Sequence, residues 1–191
     1  PNAKVIFALS TAVIEEWGKP NFFRYNKEIE QYNQKAVEVM NELDVKSMIK
    51  ILNNLGVKTR YEGEDLIINA DTLSSYVIPE ELAKELRSSI FLMGALISRV
   101  KKANLSYPGG CEIGLRPIDI HLSALRSLGV KILDHNGQLY CSVNKVLGRE
   151  IYLDFPSVGA TENIILASVL SEGKTEIHNP AKEPEIIDLM K

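Results

Sequence analysis

A cysteine in a glycine-rich loop is the residue of this sequence best suited to chemistry. Cys111 lies in the run Pro-Gly-Gly-Cys-Glu-Ile-Gly, and the flanking glycines, Gly109 and Gly110, allow its backbone unusual conformations. A thiol in such a loop can donate a proton or attack a substrate, according to its pKa and accessibility. The general alternative is a cysteine that packs in the core like a small hydrophobic residue. The pattern around Cys141, an alternating strand, predicts that second role.

Two predicted helix starts could bind an anion. Arg116 precedes Pro117 at the beginning of one helix, where a guanidinium and the helix N-terminus can together hold a phosphate. Ser157, Val158 and Gly159 open a later helix and leave backbone N–H groups free. No Gly-Lys-Ser/Thr follows, so this turn is not a Walker loop. The alternatives are a solvated arginine near a helix cap and an ordinary helix start.

Several further polar residues lie near these helix starts. Asp119 falls in the first turn after Pro117, where a carboxylate also stabilises the helix dipole. Arg87 lies early in a helix of small and apolar residues, and its alternative is a plain surface arginine. His121 lies beside an apolar stripe, which predicts a partly buried structural histidine rather than a catalytic one. We assign no role to the remaining histidines, His135 and His178.

The elements that must position these residues form an internal repeat. The segment LNNLGVKTRYEGEDLIINA (52–70) matches LRSLGVKILDHNGQLYCSV (125–143). In both, a helix ends at Leu-Gly, a strand starts at Val-Lys, and the chain returns as an alternating strand. Gly56 and Gly129 are therefore predicted to adopt the left-handed conformation that follows a helix.

The helices before these glycines also correspond, because each has one apolar stripe. The stripe residues are Val45, Met48, Leu52 and Leu55 in the first copy, and Ile118, Leu122, Leu125 and Leu128 in the second. Upstream, residues 88–110 predict helix, strand and loop, and residues 161–181 repeat that order. Pro184 then stands where Pro117 stands, in a first helical turn. The pattern predicts an α/β (α+β) fold of βαβαββ units, one complete and two partial.

Composition excludes several classes of protein. The 191 residues are 45% hydrophobic and 25% charged, as in an ordinary globular domain, and the net charge is −3. We therefore expect no nucleic-acid partner. No apolar run approaches the ~18 residues of a membrane helix, and the start PNAKVIFALS does not predict a signal peptide. No cysteine and histidine set has zinc spacing, so no metal is predicted. We expect a soluble, cytoplasmic protein.

The first 43 residues lie outside the repeat. AKVIFAL predicts a buried strand, followed by a loop and an amphipathic helix. The run FFRYNKEIEQYNQKAVEVMNEL resembles the region that precedes the catalytic Asp and His of GDSL-type (SGNH) hydrolases. The nucleophile block and the Asp-x-x-His of that family are absent, so we predict no hydrolase. Residues 1–43 are thus a β-loop-α segment of uncertain origin beside a domain over 44–191.

The domain over 44–191 resembles a known family. DVKSMIKILNNLGV, LRSSIFLMGALISR, PGGCEIGLRPIDIHLSALRSLG, DFPSVGATENIILASVLSEG and NPAKEPEIIDL occur in this order. Together they are similar to the cysteine-bearing domain of the UDP-N-acetylglucosamine enolpyruvyl transferases. Each of the two domains of these enzymes packs βαβαββ units into an inside-out α/β barrel, with the active site between the domains. The resemblance thus implies one domain's worth of that fold.

The resemblance also implies roles for the residues singled out above. Cys111 would be the general acid toward C3 of phosphoenolpyruvate and the target of fosfomycin. Arg116 would contact phosphoenolpyruvate and the nucleotide sugar. The other implied substrate-binding residues are Arg87 near the sugar, Pro117 and Asp119 at the uridine, and Ser157, Val158 and Gly159 at the diphosphate. The implied reaction is the first committed step of peptidoglycan synthesis, which serves cell-wall biogenesis, cell shape and division. It needs no cofactor.

The chain also departs from the family pattern. Phe155 stands where relatives often have a lysine that contacts the diphosphate. The Lys-Asn pair of the family's leading KNA motif is absent, and so is a second domain with an aspartate base and a phosphate-binding arginine. We therefore expect the chain alone to be inactive until a second domain completes the site. The alternative is a catalytically incomplete fragment that keeps the fold and binds the nucleotide sugar weakly. The shikimate-pathway transferases are a related possibility, which the PGGC loop and RPIDIH disfavour.

Overall fold

The computed structural model describes residues 44–63, 65–109 and 118–190. The chain divides into two compact units, Pro1–Lys46 and Ser47–Lys191. Almost all of the described residues belong to the second unit. The strand, loop and helix predicted for residues 1–43 lie outside the described residues, and the domain boundary at 43/44 stays a prediction.

Helices and strands alternate along the second unit. The helices are α1 (residues 44–54), α2 (Glu80–Glu85), α3 (Phe91–Val100), α4 (Asp119–Ser127), α5 (Val158–Ser168) and α6 (Pro184–Leu189), with 3-10 turns η1 (Ala70–Thr72) and η2 (Arg87–Ile90). The strands are β1 (Lys58–Glu62), β2 (Asp65–Asn69), β3 (Lys102–Ser106), β4 (Lys131–His135), β5 (Gln138–Ser142), β6 (Glu150–Tyr152) and β7 (Glu176–His178).

The predicted βαβαββ unit lies in the middle of the chain. Its first strand is reduced to one parallel bridge between Val77 and Asn104 of β3. Helix α3 leads to β3, and α4 leads to the β4–β5 hairpin. The sheet has the order β3-β5-β4, with both pairs antiparallel. This arrangement confirms the α/β fold class.

Partial copies lie on both sides of the full unit, as predicted. Helix α1 leads to the antiparallel β1–β2 hairpin, the counterpart of α4 and β4–β5. At the other end, β6 pairs parallel with β7 across α5, the counterpart of α3 between the Val77 bridge and β3. Pro184 begins α6, which occupies the place of α4 in this copy. The sequence repeat is therefore a structural repeat.

The two predicted glycine turns have the expected geometry. Gly56 has φ +87° and Gly129 has φ +88°. In each turn the next residue donates back into the helix that has just ended: Val57 N to Leu52 O at 2.9 Å, and Val130 N to Leu125 O at 3.1 Å. A left-handed residue followed by such a 6→1 bond closes a helix end and points the chain into a strand.

Buried residues of α1, α3, α4, α5 and the central sheet form one core cluster. All four predicted stripe residues of α4 are buried: Ile118, Leu122, Leu125 and Leu128. Directly after α1, Leu55 is buried as predicted, whereas Met48 and Leu52 are only partly buried and Ile51 takes the innermost place.

Cys141 is 4% exposed, and its sulfur lies 3.5 Å from Met93 Sδ. Its packing role is confirmed, and burial raises the pKa of this thiol to about 11. In the described part of the chain, no helix is long and apolar enough to cross a membrane.

Candidate functional site

The structure places five of the eight predicted site residues. Cys111, Arg116 and Pro117 lie outside the described residues, so their roles stay predictions. Arg87, Asp119 and the Ser157 to Gly159 turn are described.

The cysteine loop starts from a closely packed anchor. Gly109 N donates to Ala83 O of α2 at 3.3 Å. A Cβ on Gly109 would overlap the backbone of Lys84, so only glycine fits against this end of α2. The glycine pattern suggested conformational freedom, but Gly109 is not among the positive-φ residues. At this position glycine is required by the close approach of two backbones.

The start of α5 leaves two backbone donors free. Ser157 is the N-cap, and its Oγ accepts from Ala160 N at 3.3 Å. Thr161 N donates to Ser157 O at 3.0 Å, the first bond of the helix. Within the described residues, the N–H groups of Val158 and Gly159 have no partner. Such free N–H groups at the positive end of a helix favour an anion.

Helix α4 packs its histidine against this helix start. A Cβ on Gly159 would lie 3.1 Å from His121 Cε1 and 3.3 Å from His121 Nε2. The same Cβ would lie 3.5 Å from Phe91 Cε1, at the beginning of α3. The absence of a side chain at Gly159 therefore lets the imidazole edge lie directly beside the first turn of α5.

His121 is buried and neutral. Its side chain belongs to the buried polar set, with the residue 9% exposed. Burial lowers its pKa to about 4, and the positive charge of Arg87 contributes in the same direction. The sequence predicted a partly buried structural histidine, and the burial agrees with that prediction. The sequence did not predict that the Cε1–Nε2 edge of the ring, its outer edge, lies beside the first turn of α5.

Asn163 is a site residue that sequence reasoning missed. It is fully buried, and its Nδ2 lies 3.2 Å from His121 Nδ1. It also accepts from Gly94 N at 2.8 Å and donates to Ile90 O at 3.0 Å. A sequence signal existed, because an asparagine in the middle of the apolar run of α5 requires buried partners. The residue thus joins α3, α4 and α5 at one point.

Two predicted site residues of opposite charge, Arg87 and Asp119, lie in different elements. Arg87 is the first residue of η2, immediately before α3, rather than a residue of the helix itself. It is half-buried, and no carboxylate of the described residues pairs with it. Asp119 is the exposed first residue of α4 and provides the predicted first-turn carboxylate. Arg87 and Gly159 thus both neighbour His121. The hydrogen bond to Asp134 is the main cause that raises the pKa of Tyr107, and the negative charge of Asp119 adds to it.

The assembled groups suit an anionic ligand. They comprise two free backbone N–H groups, a neutral imidazole and a half-buried guanidinium without a carboxylate partner in the described chain. Phe155, two residues before the N-cap Ser157, is 64% exposed. In residues 44–63, 65–109 and 118–190, no group of three His, Cys, Asp or Glu side chains could hold a metal ion.

The fold is that of the enolpyruvyl transferases. The enolpyruvyl transferase NikO from Streptomyces tendae aligns with a TM-score of 0.64 at 22% identity, over 75% of this chain and 34% of that one. An EPSP synthase from Acinetobacter baumannii aligns with a TM-score of 0.56 at 16% identity, over 74% of this chain and 34% of that one. At these identities the likeness establishes architecture only. It confirms that the chain provides one domain's worth of this fold.

The sequence comparison then identifies the family. The family model for EPSP synthase (3-phosphoshikimate 1-carboxyvinyltransferase) matches residues 30–191, and this chain belongs to that family. A relative from Caldanaerobacter subterraneus subsp. tengcongensis, UDP-N-acetylglucosamine 1-carboxyvinyltransferase 2, is 55% identical over 146 residues. One from Symbiobacterium thermophilum, UDP-N-acetylglucosamine 1-carboxyvinyltransferase 1, is 52% identical over 152 residues. These matches cover 76% of this chain but only 35% and 34% of the relatives, so the chain spans about a third of their length.

Proposed function

We propose that this chain is the cysteine-loop part of an enzyme that transfers the enolpyruvyl group of phosphoenolpyruvate to the 3′-hydroxyl of UDP-N-acetylglucosamine, with release of phosphate. The observation that supports this most strongly is the 55% identity to a relative named for that reaction. The family model bears the name of the 3-phosphoshikimate enzyme, but the PGGC loop and RPIDIH favour the nucleotide-sugar substrate. The free N–H groups at the start of α5 suit the diphosphate of that substrate.

The proposed reaction is addition followed by elimination. The sugar hydroxyl attacks C2 of phosphoenolpyruvate while C3 gains a proton, which gives a tetrahedral ketal. C3 then loses a proton as phosphate leaves, and the enolpyruvyl ether remains. Cys111 is proposed as the acid toward C3, and Arg116 as a cation that stabilises the charge developing on phosphoenolpyruvate.

The described residues would hold the nucleotide sugar. Val158 and Gly159 would donate their N–H groups to the diphosphate, with Ser157 as the cap that orders the turn. Asp119, exposed at the first turn of α4, would accept from the uracil edge beside Pro117. Arg87 would contribute positive charge near the sugar. Phe155 cannot replace the cation of a lysine, so the diphosphate contact should be weaker than in relatives that have one.

The cellular setting follows from the proposed reaction. Transfer to UDP-N-acetylglucosamine starts peptidoglycan synthesis, and the reaction would take place in the cytoplasm with fosfomycin as an inhibitor directed at Cys111. A second transferase domain would complete the site with the aspartate base and a further phosphate-binding arginine. The alternative is a catalytically incomplete protein that keeps the fold and binds the nucleotide sugar weakly, without turnover.

Ligand selectivity tests the proposed substrate. Calorimetric titration of the chain with UDP-N-acetylglucosamine should show binding weaker than micromolar, because part of the pocket is contributed by the rest of the enzyme. Shikimate 3-phosphate should bind more weakly still. Preference for shikimate 3-phosphate would contradict the proposed substrate. Micromolar or tighter binding of the nucleotide sugar would contradict the view that this chain forms only part of the pocket.

Cysteine labelling tests the proposed acid. A brief maleimide pulse followed by intact-mass spectrometry should show one adduct, at Cys111, because the loop has few side chains to cover the thiol. Cys141 should not react, since it is 4% exposed and its pKa is raised to about 11. Cys111→Ser should therefore show no adduct. An unlabelled native chain would mean that Cys111 is packed away from solvent.

A further inference from the structure

The backbone oxygen of Ala83 accepts hydrogen bonds from two different segments of the chain. Ala83 lies in the last turn of α2, where the carbonyls have no N–H partner within the helix. Ser89 Oγ donates to this oxygen at 3.2 Å, and Gly109 N donates to it at 3.3 Å. A carbonyl oxygen can accept two hydrogen bonds, so these two donors use its full capacity.

Both donors lie close in sequence to residues with proposed roles. Ser89 belongs to η2 and comes two residues after Arg87, which is proposed to lie near the sugar. Gly109 comes two residues before Cys111, the proposed acid. Two residues span at most about 7 Å of extended chain, so the position of each donor restricts where the residue with the proposed role can lie.

The backbone at Gly109 packs closely against the end of α2. A Cβ at this position would overlap the backbone of Lys84, so the two backbones are already in contact. The place where the cysteine loop begins therefore depends on where the last turn of α2 lies. Helix ends fray readily, and the C-cap of α2, Leu86, already has an extended conformation. Something outside the helix must therefore hold this turn in place.

The Ser89 hydroxyl holds this turn beside η2. The residue is 0% exposed, and among the described residues Ala83 O is the hydrogen-bond partner of its hydroxyl. Ala83 and Leu86 are buried in the core as well. Apolar contacts are non-directional, so they keep the turn buried without orienting its carbonyl. The hydrogen bond from Ser89 supplies that orientation.

We propose that Ser89 is a positioning residue: its hydroxyl orients the Ala83 carbonyl, and that carbonyl sets where the cysteine loop begins relative to η2. That this geometry serves enolpyruvyl transfer rests on the function proposed above. Because Ser89 is completely buried, its hydroxyl acts through Ala83 and does not contact substrate. A displacement of about 1 Å between reacting groups can cost about a hundredfold in rate, so a small shift of the loop start has a large effect.

Amide hydrogen exchange in the native chain tests the geometry. Ser89→Ala should speed the exchange of the Gly109 N–H by about tenfold or more, the equilibrium effect of losing one ordinary hydrogen bond. The N–H of Asn104, which donates to Tyr76 O at 2.8 Å, should exchange at its native rate. An unchanged rate at Gly109 would overturn the proposal. So would an equal rise at both positions, because that result indicates a general loss of stability.

Ser98→Ala is the matched control, because it also removes a buried serine hydroxyl. Ser98 is 4% exposed, and its Oγ accepts from Leu170 N at 3.3 Å, just after α5. This hydrogen bond involves neither Ala83 nor Gly109, so Ser98→Ala should leave the Gly109 exchange rate unchanged. If it speeds that exchange as much as Ser89→Ala does, the effect is not specific to Ser89 and the proposal is wrong.

Turnover tests the consequence for the reaction, in a chimera of residues 44–191 with the rest of a related transferase. Ser89→Ala should lower kcat by about tenfold or more and leave KM for UDP-N-acetylglucosamine within about twofold. Gly109→Ala should lower kcat as well, because its Cβ displaces the loop start from α2. The double variant should be no slower than Gly109→Ala alone, since a displaced loop leaves nothing for Ser89 to position. Losses that multiply would contradict the proposal.

Failure of this inference can be separated from failure of the proposed function. If Ser89→Ala frees the Gly109 N–H but the native chimera has no activity with UDP-N-acetylglucosamine, the positioning geometry stands and the proposed function fails. If the native chimera is active and Ser89→Ala keeps the full kcat, the proposed function stands and this inference fails.

Discussion

Gly94→Ala is expected to lower the free energy of unfolding by at least about 3 kcal/mol, the sum of an overpacked interface and a lost buried hydrogen bond. Gly94 lies where α3 crosses α5, and a Cβ there would overlap both Oδ1 and the backbone oxygen of Asn163. The backbone oxygen belongs to a helix and cannot move aside alone. The Gly94 N–H bond to Oδ1 would be lengthened or broken as the helices separate.

Gly159→Ala is the matched control, because it adds the same methyl group to a helix at a flexible contact. Its Cβ would lie 3.1 Å from the His121 ring, a side chain that can shift slightly. Alanine's higher helix propensity offsets part of this cost, so the change should stay within about 1 kcal/mol. Urea denaturation of both variants checks the comparison. Equal stability of the native chain and Gly94→Ala would contradict the close approach of α3 and α5.

Acidification should destabilise the protein through His121. Its pKa is about 4 in the folded chain, compared with an ordinary value of 6.5. Between these values the unfolded histidine binds a proton and the folded one does not, so stability falls as pH falls. Above the unfolded pKa both forms are neutral, and the full stability is present. From about pH 7 to about pH 4.5 the loss from this one group should reach about 2 to 3 kcal/mol.

His121→Gln isolates this contribution, because the amide does not titrate. The free energy of unfolding should fall less steeply with acid in this variant than in the native chain, and the difference between the two curves is the histidine term. Glu80 and Glu176, whose pKa values are lowered by neighbouring lysines, contribute equally to both chains and lose their effect mainly at lower pH. If the stability curves of the native chain and His121→Gln run parallel above about pH 4.5, the imidazole takes up its proton in the folded protein as readily as in the unfolded one. That result would contradict the lowered pKa.

The fold could be predicted because its sequence pattern repeats. Gly56 and Gly129 end equivalent helices, and both adopt the left-handed conformation that the Leu-Gly-Val-Lys pattern predicts. The α4 stripe was predicted residue by residue, since an amphipathic helix of nine residues shows its buried face directly. Among the described elements of the repeat, the first strand of the full unit, at Val77, is reduced to a single bridge. Its pairing depends on a neighbour distant in sequence, which local patterns do not specify.

The candidate site was predictable only where a residue marks a local structure. Ser157 was found because an N-cap has a local sequence signature, and Asp119 because a first-turn carboxylate does. Asn163 and the outer edge of His121 were missed, because their roles arise from the packing of three helices. Gly109 was assigned freedom where the structure shows a close approach to α2. A glycine in a sequence does not by itself distinguish these two requirements.

Turnover in a complete enzyme tests the central claim most directly. Residues 44–191 would replace the matching third of the relative from Caldanaerobacter subterraneus subsp. tengcongensis, which is 55% identical over 146 residues. The chimera should release phosphate from phosphoenolpyruvate only when UDP-N-acetylglucosamine is present. Cys111→Ser should lower the rate by about a hundredfold or more, the typical contribution of a general acid, whereas Cys141→Ala in the core should leave it nearly unchanged. A folded chimera without this activity, or one in which Cys111→Ser retains the full rate, would contradict the account.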